Sequence, residues 1–154
     1  MSERICYTIG HSDHPLPEFI ALLKKHAITC LCDIRSIPYS KRHPQFNAEN
    51  LKAELPKHRI RYLYLGKELG GRPEPSARPV KGGEGGFSHG ISRIVEELAN
   101  GETIVLMCAE KDPADCHRSS LVAPALIEAG IAVRHIRYDG ELEKEQCRLF
   151  PSPC

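Results

Sequence analysis

Short apolar runs alternate with segments of helical periodicity along most of the chain, and this alternation restricts its fold more than anything else. The pattern predicts strands over 4–9, 29–34, 59–65, 103–108 and 131–138, and helices over 15–26, 48–57, 87–99 and 121–129. Phe19, Leu22 and Leu23 give the first helix its apolar side, and Ile91, Ile94, Val95 and Leu98 give the third its own. The second strand is too apolar to have one exposed face. The third alternates strictly, with Ile60, Tyr62 and Tyr64 on one side and Arg61, Leu63 and Leu65 on the other. Strands joined through helices pair in parallel and carry those helices on both faces of the sheet. The expectation is therefore an α/β fold: a single three-layer, Rossmann-like domain over 1–154 with a mainly parallel five-stranded sheet. Strand order 3-2-1-4-5 is favoured because it sets strands one and four side by side.

The totals exclude more than they specify. A chain of 154 residues fits one core. A net charge of +1 provides no broad field for nucleic acid or membrane, so a charged partner would need a local patch. No apolar run approaches the roughly 20 residues of a membrane span, and Met1-Ser2-Glu3-Arg4 does not open a secretory signal. The seven cysteines, an odd number without sign of export, are expected to be reduced and mostly packed, in a cytoplasmic protein. The segment 66–86 holds seven glycines and three prolines and is expected to be irregular, a lid or a plain loop. The tail 141–154 is expected to add a short helix before Pro151.

In a parallel sheet all carboxyl ends lie along one edge, where open α/β folds place their ligands. Here the strands are followed by Gly10-His11-Ser12, Asp33-Ile34-Arg35, Gly66-Lys67-Glu68, the run Cys108 to Arg118, and Asp139-Gly140. The fourth run is the densest, with Cys108, Glu110, Cys116, His117 and Arg118 close together. A thiol near a helix start and beside cations is a better nucleophile. Cys116, His117, His11 and Glu110 are accordingly the candidate catalytic groups. Arg118, Arg35, Asp33, Ser12, Ser40, Arg72 and Cys108 are the candidates for holding a substrate or anion.

Each assignment has a plainer counterpart. Glu110 could pair with Arg118 for architecture, and Cys108 could simply be packed at the end of its strand. Gly10 and Ser12 suit a tight turn in which Ser12 or Asp13 caps the next helix, although that leaves His11 unexplained. Asp33 and Arg35 point to one side of the strand end, either as an ion pair fixing the loop or as groups offered to substrate. The run Tyr39 to Phe46 mixes cations with aromatics, as a single-stranded nucleic acid would require and as a solvated basic loop would also show. Standard nucleotide fingerprints are absent. Cys108, Cys116, His117 and His11 are ligand types that zinc accepts, but the spacing matches no common zinc pattern, so no cofactor is expected. Cys30 and Cys32 face one way within their strand, most simply into the core.

The words Gly10-His11-Ser12, Asp33-Ile34-Arg35-Ser36-Ile37-Pro38 with Ser40, Tyr64-Leu65-Gly66 with Leu69-Gly70-Gly71-Arg72, and Leu106-Met107-Cys108-Ala109-Glu110 running on to Cys116-His117-Arg118 occur in this order. In these words the chain resembles the domain of unknown function 488 family over roughly 5–138. The resemblance implies an α/β domain with its shared residues gathered at one site, and no reaction.

The leading expectation is an enzyme or ligand-binding domain acting on a phosphorylated or otherwise anionic substrate, a nucleotide or nucleic-acid fragment. A Cys-His-Arg site at the C-terminal edge of the sheet would serve it, in a hydrolase or transferase if it is catalytic. A non-catalytic nucleic-acid or anion-binding module is the alternative, followed by a metal-binding or thiol redox-sensing protein.

Overall fold

A computed structural model describes residues 4–69, 86–109 and 122–144. The elements are β1 (Ile5–Gly10), α1 (Leu16–Lys25), β2 (Cys30–Asp33), α2 (Ala48–Glu54), β3 (Arg61–Tyr64), α3 (Gly66–Leu69), α4 (Phe87–Ala99), β4 (Ile104–Cys108), α5 (Ala123–Glu128), β5 (Ala132–Ile136) and β6 (Leu142–Lys144). Single 3-10 turns at Pro44–Phe46 and Leu55–His58 flank α2.

The α/β architecture is present, with one sheet of order β3-β2-β4-β1-β5-β6. The first five strands run parallel, and β6 returns antiparallel to β5. The order corrects the expected 3-2-1-4-5: β4 lies between β2 and β1, so β2 neighbours β4 and β1 neighbours β5. Burial explains the exchange. Ile104-Val105-Leu106-Met107-Cys108 is at most 2% exposed anywhere, whereas Ile5 and Tyr7 of β1 are half-buried. The most apolar strand thus occupies a central place, covered on both faces and both edges. Strands one and four remain neighbours, as expected.

Two apolar layers sandwich the sheet. Phe19, Ile20 and Leu23 of α1 and Leu51 of α2 pack with Ile9, Leu31, Val105 and Met107 on one face. Leu69 of α3, Ile94 of α4, and Ala123 and Leu126 of α5 cover Cys6, Cys32, Leu106 and Val133 on the other. Period-two alternation in β3 sends Ile60 and Tyr62 to the first layer and Leu63 and Leu65 to the second.

One further expectation is corrected. Gly66–Leu69, the start of the supposed irregular segment, forms a helical turn closed by Leu69 N–H donating to the Leu65 carbonyl at 2.8 Å. The start of the tail is a strand: Asp139-Gly140 makes a tight turn, with Gly140 at φ +90° and Asp139 Oδ1 accepting from Glu141 N–H at 3.0 Å. The helix expected before Pro151 lies outside the described residues, as does most of the glycine-rich segment. Among the described residues no helix is long and apolar enough to cross a membrane.

Candidate functional site

The exchange of strands makes β4 the axis of the C-terminal edge. His11 N–H donates to the Cys108 carbonyl at 2.8 Å and Ser12 N–H to the Ala109 carbonyl at 3.1 Å, so the ladder between β1 and β4 runs on beyond both strands. On the other side Ile34 N–H donates to the Met107 carbonyl at 3.1 Å. The loops carrying His11 and the Asp33–Arg35 pair therefore flank the end of β4. The helix that follows β1 packs on one face and the helix after β4 on the other. This is where a crevice opens in folds of this type.

Ser12 takes a left-handed backbone, φ 46°, which a non-glycine residue adopts only when its surroundings impose it. Neither Ser12 nor Asp13 caps α1: the N-cap is Pro15 with no side-chain cap bond, and Asp13 accepts from the Tyr138 hydroxyl at 2.7 Å. The turn instead carries His11 inward, leaving it 2% exposed. Its ring stacks on Phe46 with centroids 4.5 Å apart and planes 19° from parallel, and His43 meets it edge-on at 6.2 Å. Nδ1 lies 2.9 Å from the Ser12 carbonyl. A carbonyl only accepts, so Nδ1 carries the proton and Nε2 keeps its lone pair. Burial is the main cause that lowers the His11 pKa to about 4, with Arg35 and His43 adding to the effect. The imidazole is neutral at pH 7 and acts as an acceptor.

Asp33, with no exposed surface, is held on both oxygens. Oδ1 accepts from Arg35 Nε at 2.8 Å and from Arg35 N–H at 3.1 Å, and Oδ2 from Arg35 Nη2 and the Tyr62 hydroxyl, both at 2.6 Å. Arg35 Nη2 also donates to the Phe46 carbonyl at 2.7 Å. The ion pair that fixes the loop is thus present. Arg35 Nη1, by contrast, is buried with no acceptor among the described residues. The Tyr64 hydroxyl reaches the carbonyls of Arg35 and Ser36, each at 2.9 Å. Desolvation raises the pKa of both Tyr62 and Tyr64, so both remain protonated donors.

Ser40 is scaffold: its Oγ accepts from His43 N–H at 2.9 Å while its own N–H donates to Asn47 Oδ1 at 2.6 Å. The Cys108 thiol is 2% exposed and belongs to the layer containing Cys6, Cys30 and Cys32. Cys6, Cys30 and Cys32 are free, and Cys30 and Cys32 point into the core as expected. His11, Ser12, Asp33, Arg35 and Cys108 thus come together around the end of β4. Glu110, Cys116, His117, Arg118 and Arg72 lie outside the described residues. Among the described residues no group of three metal-ligating side chains is gathered.

Sequence reasoning passed over Phe46, Tyr62 and Asn47 as site residues. Phe46 is the hub, with His11 on one side, Phe19 edge-on at 4.8 Å, and its carbonyl on Arg35. A signal for Tyr62 existed in the strict alternation of β3, which puts Tyr62 on the same face as Tyr64, the register partner of Asp33. Phe46 and Asn47 carried no such periodic mark.

The family model for a domain of unknown function, DUF488, matches this chain over residues 15–84 and 83–124. Neither the curated proteins nor the solved structures provide a match.

Proposed function

For a chain that belongs to the DUF488 family of domains of unknown function, we propose a role on a phosphorylated or otherwise anionic substrate, a nucleotide or nucleic-acid fragment, at the rim around β4. Glu110, Cys116 and His117, in the sequence that follows Ala109, supply the reactive groups together with His11. Arg118, Arg72, Ser12 and Arg35 hold the substrate, while Asp33 and Ser40 fix Arg35 and its loop.

One observation carries this reading: Arg35 Nη1 is a charged donor buried without an acceptor among the described residues. An unfilled buried donor costs about 1–3 kcal/mol, more when charged. An oxygen of a bound ligand removes that cost. The same rim offers His11 Nε2 as an acceptor for a ligand hydroxyl. Free buried thiols support a reducing, cytoplasmic setting.

A non-catalytic nucleic-acid or anion-binding module is the second reading, because the described rim offers a donor, Arg35 Nη1, and an acceptor, His11 Nε2, while its one thiol, Cys108, is buried. Thermal melts with inorganic phosphate, pyrophosphate and nucleoside monophosphates test the site, since a ligand bound only to the folded state raises Tm by mass action. A rise with at least one anion that His11→Gln abolishes is the expected result. No rise with any of them defeats the proposal. Phosphate release or transfer lost in Cys116→Ser would then select the enzyme over the module.

A further inference from the structure

The loop 36–46, which leads from Arg35 to the hub at Phe46, has features the rim chemistry does not use. It contains Lys41, Arg42 and His43 and no carboxylate. Lys41 and Arg42 are exposed, and neither makes an ion pair among the described residues. Ile37 and Tyr39, at 57% and 58%, are the most exposed large apolar side chains among those residues. An exposed aromatic ring beside exposed cations supplies the two parts a single-strand site requires, a stacking face and partners for phosphate.

The backbone beneath them is fixed. Ser36 is held by the Tyr64 hydroxyl, the Pro38 carbonyl accepts from Ala48 N–H at 3.0 Å, Ser40 N–H is held by Asn47, and Phe46 N–H donates to the His43 carbonyl at 3.0 Å. A tethered loop presents Tyr39 in a defined place, so little ordering entropy is lost on binding. The far end of the loop brings His43 edge-on to His11. The strip is thus continuous with the rim.

We propose that this loop is a docking strip for single-stranded nucleic acid, with a base stacked on Tyr39, phosphates on Lys41 and Arg42, and the strand led past His43 to His11. The inference rests on the nucleic-acid-fragment reading of the rim and deepens it. Single strands are the matching partner because a stacking platform needs an unpaired base face, which a duplex withholds. Cations serve the phosphates without reading sequence. The net charge of +1 implies that binding depends on this local strip and on low salt.

Fluorescence anisotropy with a labelled oligothymidylate of about 12 nucleotides tests it. Tyr39→Ala is expected to weaken binding at least about fivefold, and Tyr39→Phe to keep it, because stacking requires the ring and not the hydroxyl. Lys41→Gln combined with Arg42→Gln is expected to reduce the salt slope by roughly 1.4, about 0.7 for each lost phosphate contact. The corresponding duplex should bind more weakly. Absence of oligonucleotide binding at low salt, or binding indifferent to Tyr39→Ala, overturns the proposal, as does equal affinity for polyaspartate. Wild-type protein separates the two claims. A mononucleotide that perturbs His11 while an oligonucleotide binds no better removes the strip alone. An oligonucleotide bound through Tyr39 without perturbing His11 removes the rim alone.

Discussion

Asp33 grips Arg35 through both carboxylate oxygens, at 2.8 Å to Nε and 2.6 Å to Nη2, with the pair almost wholly out of water. The two residues are separated only by Ile34, so a local bond fixes the direction in which the chain leaves β2. Two charges buried this way are costly to separate.

Asp33→Ala is therefore expected to destabilise the domain by about 3–5 kcal/mol, because it strands the Arg35 guanidinium in the interior. Tyr62→Phe, which removes one neutral donor from the same carboxylate, should cost about 1 kcal/mol. Urea unfolding of the two variants measures both, and equal small losses would show that the pair is not the anchor of the loop.

His11 makes stability depend on pH in a defined direction. Its pKa in the folded protein is about 4, below the ordinary 6.5, so between these values the unfolded chain binds more protons. Its contribution is complete above pH 6.5 and is lost as pH falls toward 4, with a magnitude on the order of 3 kcal/mol. Unfolding free energy followed from about pH 7 to pH 4 should fall less in His11→Gln than in the parent. Parallel curves would show that His11 is not held neutral by burial.

Gly66 admits no side chain. A Cβ there would stand 1.9 Å from the Arg35 carbonyl oxygen and 2.3 Å from the Tyr64 hydroxyl. Gly66→Ala must displace the contact between Tyr64 and the Arg35 loop, at a cost of about 1–3 kcal/mol or more. The thermal midpoint should fall by several degrees. An unchanged midpoint would contradict the close approach.

Cys6, Cys30, Cys32 and Cys108 should resist alkylation in the native protein. All four are at most 2% exposed; burial pushes the Cys6 thiol up, and the hydrogen bond between Cys30 and Cys32 pushes Cys32 up and Cys30 down, so Cys30 is protected by its burial alone. Peptide mapping after iodoacetamide treatment at about pH 8 is expected to find them unmodified until denaturant is added. Native labelling of Cys108 would instead support thiol redox sensing with Cys116.

Much of this architecture was legible in the sequence, for physical reasons that also mark the limit. The helix read over 87–99 is Phe87–Ala99, because Ile91, Ile94, Val95 and Leu98 repeat at the helical period. The strand ends near His11, Asp33 and Cys108 were legible to within about one residue, because the apolar runs give way to polar loops there. Strand order was not. Periodicity reports that β4 is buried on both faces, but not that it sits between β2 and β1. That placement depends on which strands seal one another's edges. The part Phe46 plays was hidden for a similar reason: an aromatic in a basic loop shows its burial against His11 only once the loop is folded back.

The central claim is that the rim around His11 and Arg35 is a ligand site, and nitrogen NMR of the imidazole and guanidinium tests it most directly. The ring should show the Nδ1-protonated tautomer in the free protein. Titration with a nucleoside monophosphate should shift the His11 and Arg35 signals together and raise the His11 pKa from about 4, since a bound anion favours imidazolium. His11 and Arg35 signals that stay still at saturating nucleotide, while others move or none do, would contradict it.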